Sequence, residues 1–194
     1  MTGIGVKIYG APKICEREVL RYAGGSPSEK AKELLESTVD EASGAFTYKV
    51  CYTVCDVSVK GDTVDFGFFN TNSRALAKNL SGVSRAVIFA ATVGFEIDRL
   101  IMKYSRISPS RALMLDALGT ERIEALCDAF CEDMRKTHGA CRPRFSAGYG
   151  DLSIELQREI FRLLSPETKI GLTLTDSMLM SPTKSVTAFM GIED

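Results

Sequence analysis

From Ser110 to about Lys136 the chain carries its longest helical pattern, in which Leu113, Leu118, Ile123, Leu126, Phe130 and Met134 are the expected core positions. Ser108-Pro109 starts it, because Pro suits a first turn that needs no amide donor, and Gly119 weakens it locally. An apolar stripe of this length has to be covered. The rest of the chain can do so: of 194 residues, 45% are hydrophobic and 25% charged, the composition of a packed globular protein. At this length roughly 70% of the unfolded chain's surface can be buried, and one domain over residues 1–194 is expected.

Charge and hydropathy exclude several function classes. The 24 Lys plus Arg residues nearly balance 25 Asp plus Glu, for a net charge of -1, so no general attraction to phosphate backbones or anionic lipid is expected and nucleic acid is not a partner. The longest apolar run, Ala86 to Val93, is far short of the ~20 residues that span a bilayer, so no membrane helix is expected. Met1 to Gly10 has one Lys and no continuous apolar run, which does not read as a secretory signal and points to a cytoplasmic protein. Six cysteines in such a chain are too sparse for a disulfide scaffold and are expected as free thiols.

Further elements follow from local patterns. Glu16 to Ala23 reads as a short helix stopped by Gly24 and Gly25. Ser26, Pro27 and Glu29 then form a capping box for a second helix that ends near Gly44. Phe46 to Val59 alternates with period two, and Lys60-Gly61-Asp62 turns it into Thr63 to Phe69, a hairpin. Asn72 or Ser73 caps a helix to Leu80, Arg85 to Thr92 is short and apolar enough for a buried strand, and Phe95 to Tyr104 has helical spacing. Thr137 to Leu152 is an ordered loop, Ser153 caps a helix to Leu164, and Gly171 to Ile192 reads as two strands separated at Ser181-Pro182. Strands and helices mix without regular alternation, so the expected class is α+β rather than a doubly wound sheet.

The single histidine, His138, precludes chemistry that needs two imidazoles, and its place at a helix end suits a cation near the dipole. There is no G-x-S-x-G elbow, G-x-G-x-x-G or P-loop. Cys51 and Cys55 on one strand would lie about 13 Å apart, whereas Cys127 and Cys131 on a helix come to about 6 Å. Without C-x-x-C spacing, buried thiols are favoured over a structural metal, although a thiol or metal protein using Cys127, Cys131 and Cys141 stays as a third reading.

The concentrated feature is Arg142-Pro143-Arg144-Phe145-Ser146-Ala147-Gly148-Tyr149-Gly150-Asp151. Two guanidiniums can grip a carboxylate, glycines let backbone approach a ligand, and Phe or Tyr can stack on a ring, which together suit a small zwitterion. An ordered loop whose arginines pair with surface acids is the alternative.

Here the sequence resembles the activation domain of cobalamin-dependent methionine synthase and its shorter stand-alone relatives. The likeness is carried by RFSAGYGD from Arg144 to Asp151, by the helix LSIELQREIFRLL, and by LTLTDSMLMSPTKSVTAFMGI, with a weaker block in SRALMLDALGTERIEALCDAF. It is strongest over residues 111–192 and loose over residues 1–80, chiefly through EVLRYAGG.

What the resemblance implies is an α+β domain around a twisted antiparallel sheet that binds S-adenosylmethionine. It implies Arg144 for the ligand's carboxylate, Glu124 for its ammonium, backbone around Ser146, Ala147 and Gly148 for close hydrogen bonds, and Tyr149 against the adenosine. The sulfonium methyl is presented to a cobalamin held by a separate methyltransferase or corrinoid protein, restoring methylcobalamin from the cob(II) state with an electron from flavodoxin or a ferredoxin-like protein. Positioning is then the main contribution, and no residue of this chain is needed as a general base.

The chain departs from the family in three places. Ala147 stands where Pro is usual, and the family's domain continues past the point that Asp194 matches, into a Tyr-bearing segment of the ligand site. No D-x-H-x-x-G cobalamin motif occurs, since Lys136 stands two residues before His138. A second reading follows, a non-enzymatic member that docks on a corrinoid protein without binding the methyl donor.

Overall fold

A computed structural model describes residues 3–24 and 28–193. In chain order these form β1 (Gly5–Tyr9), α1 (Glu16–Tyr22), α2 (Glu29–Ala42), β2 (Tyr48–Asp56), β3 (Ser58–Lys60), β4 (Thr63–Asp65), β5 (Asn70–Asn72), α3 (Arg74–Asn79), β6 (Arg85–Thr92), α4 (Glu96–Ile107) and α5 (Pro109–His138). A 3-10 turn (Ile154–Leu156), α6 (Gln157–Leu164), α7 (Pro166–Ile170), β7 (Thr173–Leu174), β8 (Met180–Ser181) and β9 (Ser185–Ile192) complete the chain. The fold is α+β.

Four strands in the order β1-β2-β6-β9, antiparallel throughout, make the central sheet. The small sheets β3-β4-β5 and β7-β8 flank it. Strand β6 is apolar at nearly every position because both of its faces are covered, and its side chains divide by alternation. Val87, Phe89 and Ala91 pack with Leu115, Leu118, Leu126 and Phe130 of α5, while Ala86, Ile88 and Ala90 pack with Ile160, Phe161 and Leu164 of α6. Phe130 seats its ring 4.8 Å from Phe89 and 5.2 Å from Tyr52, centroid to centroid. Each buried Val, Leu, Ile or Phe among these is worth about 2 kcal/mol relative to exposure.

Several expectations shift. The long helix runs from Pro109 to His138, but Leu113 is exposed. The inward face is set by Met114, Leu115 and Leu118, one position of helical rotation away from it. Thr137 and His138, read as loop, are still helical. Ser26 and Pro27 lie outside the described residues; the cap of α2 is Ser28, whose Oγ accepts from the Ala31 amide at 3.2 Å.

The expected hairpin turns at Gly61 but joins only β3 and β4, whereas Tyr48–Asp56 is claimed by β1 and β6. Strand β1 escaped the sequence reading because, as an edge strand, it leaves Val6 and Ile8 largely exposed and shows no apolar run. The final segment holds three strands in place of two: the short pair β7 and β8, then the eight-residue β9.

Two glycines permit close approach. Gly119, a weak point of the long helix by sequence, brings α5 against Lys184 and Ile97, whose carbons would lie 3.0–3.3 Å from a Cβ there. Gly94, after β6, has φ +89°, and a Cβ would sit 2.5 Å from Thr47 Oγ1. Gly94→Ala is expected to lower stability by about 2–3 kcal/mol, measured by denaturant unfolding, because the left-handed backbone and the clash both count against it.

Candidate functional site

The last turn of α5 carries Arg135 and Lys136, cations favoured at the dipole's negative end, and Gly139 at φ +91° breaks the helix after His138. The chain then returns along the outer edge of β9. Cys141 bridges to Ile192 and Phe145 to Phe189, with Phe145 and Phe189 exchanging amide-to-carbonyl bonds of 2.8 Å. At Ser146 it turns away: the Gly148 amide donates to the Leu152 carbonyl at 2.9 Å, and the Tyr149 amide to the Ser146 carbonyl at 3.2 Å. The β9 edge is covered as far as Phe189 and left open at Ser185, Val186 and Thr187.

A groove of about 420 Å³ occupies that opening, within the range of small-ligand pockets. Glu124, Arg144, Ser146, Ala147 and Tyr149, five of the residues singled out from the sequence, line it with Gln157 and Thr187. Gly148 is absent from its lining and makes the turn beneath it, at φ +90°, where a Cβ would meet Ile154 at 3.0 Å. Arg142 points elsewhere and reaches Glu193 at 3.2 Å, so only one of the two loop guanidiniums enters the groove.

Arg144 is held by two carboxylates on one face of α5, four residues apart. Its Nη2 pairs with Glu124, and its Nη1 donates to Asp128 Oδ1 at 2.5 Å. Half-burial by itself would lower the Arg144 pKa, but the hydrogen bond to Asp128 and the surrounding negative groups hold it above its ordinary value. Neither cysteine on this helix face offers a ready thiolate: burial pushes the thiols of Cys127 and Cys131 up. Among the described residues no group of three or more His, Cys, Asp or Glu side chains is placed to hold a metal ion.

The far end of the loop is clamped by Asp151. Its Oδ1 accepts from Ser73 Oγ at 2.6 Å and the Ala75 amide at 3.1 Å, and its Oδ2 accepts from the Arg74 amide at 2.9 Å. These bonds, the Ser73 hydroxyl first, hold the Asp151 carboxyl below its ordinary range. A depressed pKa means stability present above the unfolded value, near 3.9, and lost as pH falls through the folded one. Asp151→Asn is therefore expected to melt below the parent protein above about pH 5, with the gap closing toward pH 2–3, as thermal scans across pH would show.

Sequence reasoning named Asp151 in the loop without a role and passed over Asp128, Gln157 and Thr187. Asp128 was within reach, since it stands one helical turn after Glu124. Gln157 and Thr187 were not, because burial of a polar side chain beside an open sheet edge is decided by how α6 packs on the central sheet, against β6 and β2.

A larger concavity, about 600 Å³, lies between the end of β2 and β4 and is lined by Cys55, Asp56, Phe66, Arg85 and His138 among others. Burial pushes the Cys55 thiol up to about 11, and no buried, unpartnered side-chain atom of the described residues faces this space. The smaller groove has two.

Comparison with known families now bears on the groove. Residues 73–194, well over half of the chain, match the family described as the vitamin B12 dependent methionine synthase activation domain. The chain belongs to this family. Its fold is also similar to that of a crystal structure of the MetH reactivation domain bound to AdoHcy, with a TM-score of 0.76 at 15% identity, covering 99% of this chain and 79% of that one. Comparison with curated proteins gives no match. The elements that line the groove, α5, α6, β8 and β9, fall within the activation-domain match. No helix among the described residues is long and apolar enough to cross a membrane.

Proposed function

We propose that the chain is a reactivation factor that binds S-adenosylmethionine in this groove and supports reductive methylation of a cob(II)alamin on a separate cobalamin-dependent methyltransferase, such as methionine synthase. The observation that carries the reading is the Arg144, Glu124 and Asp128 cluster at one end of a groove that a member of this family opens along its sheet edge.

The cluster suits a zwitterion by exchange of partners. A ligand carboxylate takes the place of Asp128 at the guanidinium, Glu124 in the groove wall accepts the ligand's ammonium, and the released Asp128 is largely exposed and hydrates, so no charge is stranded. The Asp128 contact is the one to yield, because it is the more exposed of the two and exposed pairs are weak. Ala147 is buried under the groove floor, and Tyr149, largely exposed, stands at the rim where it can close over a nucleoside.

When bound, the ligand supplies an electrophilic methyl group on sulfur. The protein's part is to hold that methyl toward a partner docked over the open edge, to keep the amino-acid end anchored and to leave the displaced thioether in place. A partner must bring the cobalamin, since this chain has no base-off cobalamin motif, and a flavodoxin or ferredoxin-like protein supplies the electron. The protein acts in the cytoplasm, where such reductants work.

Calorimetric titration with S-adenosylmethionine, alongside thermal shift, tests the binding step. Heat with a rise in melting temperature is expected. Silence in both at millimolar ligand sinks the proposal and leaves the docking-only member as the better description; co-purification with a corrinoid protein then tests that one.

A further inference from the structure

The two faces of the β9 edge offer a ligand different chemistry. Val186, Ala188 and Met190 face α5, the helix that carries Glu124 and Asp128, whereas Phe189, and by alternation Thr187, face α6, which begins at Gln157. One end of the groove is thus charged and the other neutral. Gln157 is 5% exposed and Thr187 2%, yet Gln157 Oε1 and Thr187 Oγ1 have no hydrogen-bond partner among the described residues, and both residues line the groove. Buried polar atoms without partners cost stability and are rare in native proteins. Two of them, from different elements and in one groove, are groups that a ligand completes.

We propose that Gln157 and Thr187 form the base-reading subsite of the groove and select a purine with a 6-amino group over its 6-oxo counterpart. The inference rests on the adenosyl reading above. A primary amide offers one acceptor beside one donor in a fixed plane, the complement of an amino group beside an unprotonated ring nitrogen. The Thr187 hydroxyl, able to donate or accept, meets a further ring nitrogen or a ribose hydroxyl. A 6-oxo purine sets an acceptor against Gln157 Oε1, and a buried amide has to turn over to receive it. Charge at one end and a neutral amide at the other also fix the ligand's direction: the amino-acid end lies toward α5 and the base toward α6.

Calorimetric titrations of the whole chain with S-adenosylhomocysteine, S-inosylhomocysteine and adenosine test this. The parent protein is expected to prefer the adenosyl over the inosyl ligand by about 10-fold or more. Gln157→Met should weaken adenosyl binding by about 10- to 100-fold and bring the preference close to one, and Thr187→Val should cost about 5- to 10-fold. Without ligand, both variants should melt at or above the parent temperature, since each removes an unpartnered buried atom; a purely structural role would lower it. Thr187→Val, which keeps the side chain's shape, carries the same readout should Gln157→Met not fold.

Unchanged affinity and preference in Gln157→Met overturn the subsite while leaving the adenosyl reading intact. Binding of adenosine, lost in Gln157→Met, without binding of S-adenosylhomocysteine supports the subsite and overturns the zwitterion end. Binding of no probe overturns both.

Discussion

Arg144→Ala is expected to weaken S-adenosylmethionine binding by about 100-fold or more, on the order of 3 kcal/mol, while leaving the fold intact. The guanidinium is the only cation lining the groove among the described residues, and in the proposed exchange its Nη1 passes from Asp128 to the ligand carboxylate while Nη2 stays on Glu124. Its loss strands little in the free protein, because the side chains of Glu124 and Asp128 are 41% and 72% exposed and hydrate readily. Unfolding free energy should therefore move by less than about 1 kcal/mol. Arg144→Lys keeps the charge without the fork and should fall between, at about a 10-fold loss. Calorimetry and thermal unfolding on the same samples read both effects. An alanine variant that binds within threefold of the parent would remove Arg144 from the site.

The largest stability effect is expected at Arg122, the bulkiest of the fully buried side chains. Its Nε donates to Glu121 Oε2 at 2.6 Å, while Nη1 and Nη2 donate to the carbonyls of Pro12 and Lys13 at 2.5 and 2.9 Å. Glu121 Oε1 in turn accepts from the Cys15 amide at 3.0 Å. The pair fastens the segment between β1 and α1 to the middle of α5. Arg122→Met leaves a buried carboxylate and two carbonyls without their partner and should cost about 3–5 kcal/mol in denaturant unfolding.

The double change Glu121→Gln with Arg122→Met should recover a good part of that loss, because the stranded charge goes with it. The fastened segment also walls a concavity of about 510 Å³ beside Glu124 and Asp128. A loosened segment should therefore weaken ligand binding as well.

The long helix, the buried strand Arg85–Thr92, the cap at Ser153 and the α3 cap, narrowed to Asn72 or Ser73, were legible because each rests on local periodicity or a local hydrogen bond. Their partners were not. Nothing within Tyr48–Asp56 tells whether it folds back on Thr63–Phe69 or lies between β1 and β6, because strand pairing depends on chain brought in from 29 to 47 residues away. Leu113 misled for a similar reason: a helical pattern has a phase, and the sheet beneath α5 decides which phase is inward.

By itself the sequence determined the fold class and the concentration of ligand-competent groups between Arg144 and Tyr149, since composition, short-range spacing and motif are properties of adjacent residues. Only the tertiary structure decided that Arg144 stands between Glu124 and Asp128, that Asp151 clamps the loop to α3, and that Gln157 and Thr187 are buried at an open sheet edge. Each of these joins groups on different elements, and their chemistry comes from loss of water and from distance, which exist only once the elements have packed.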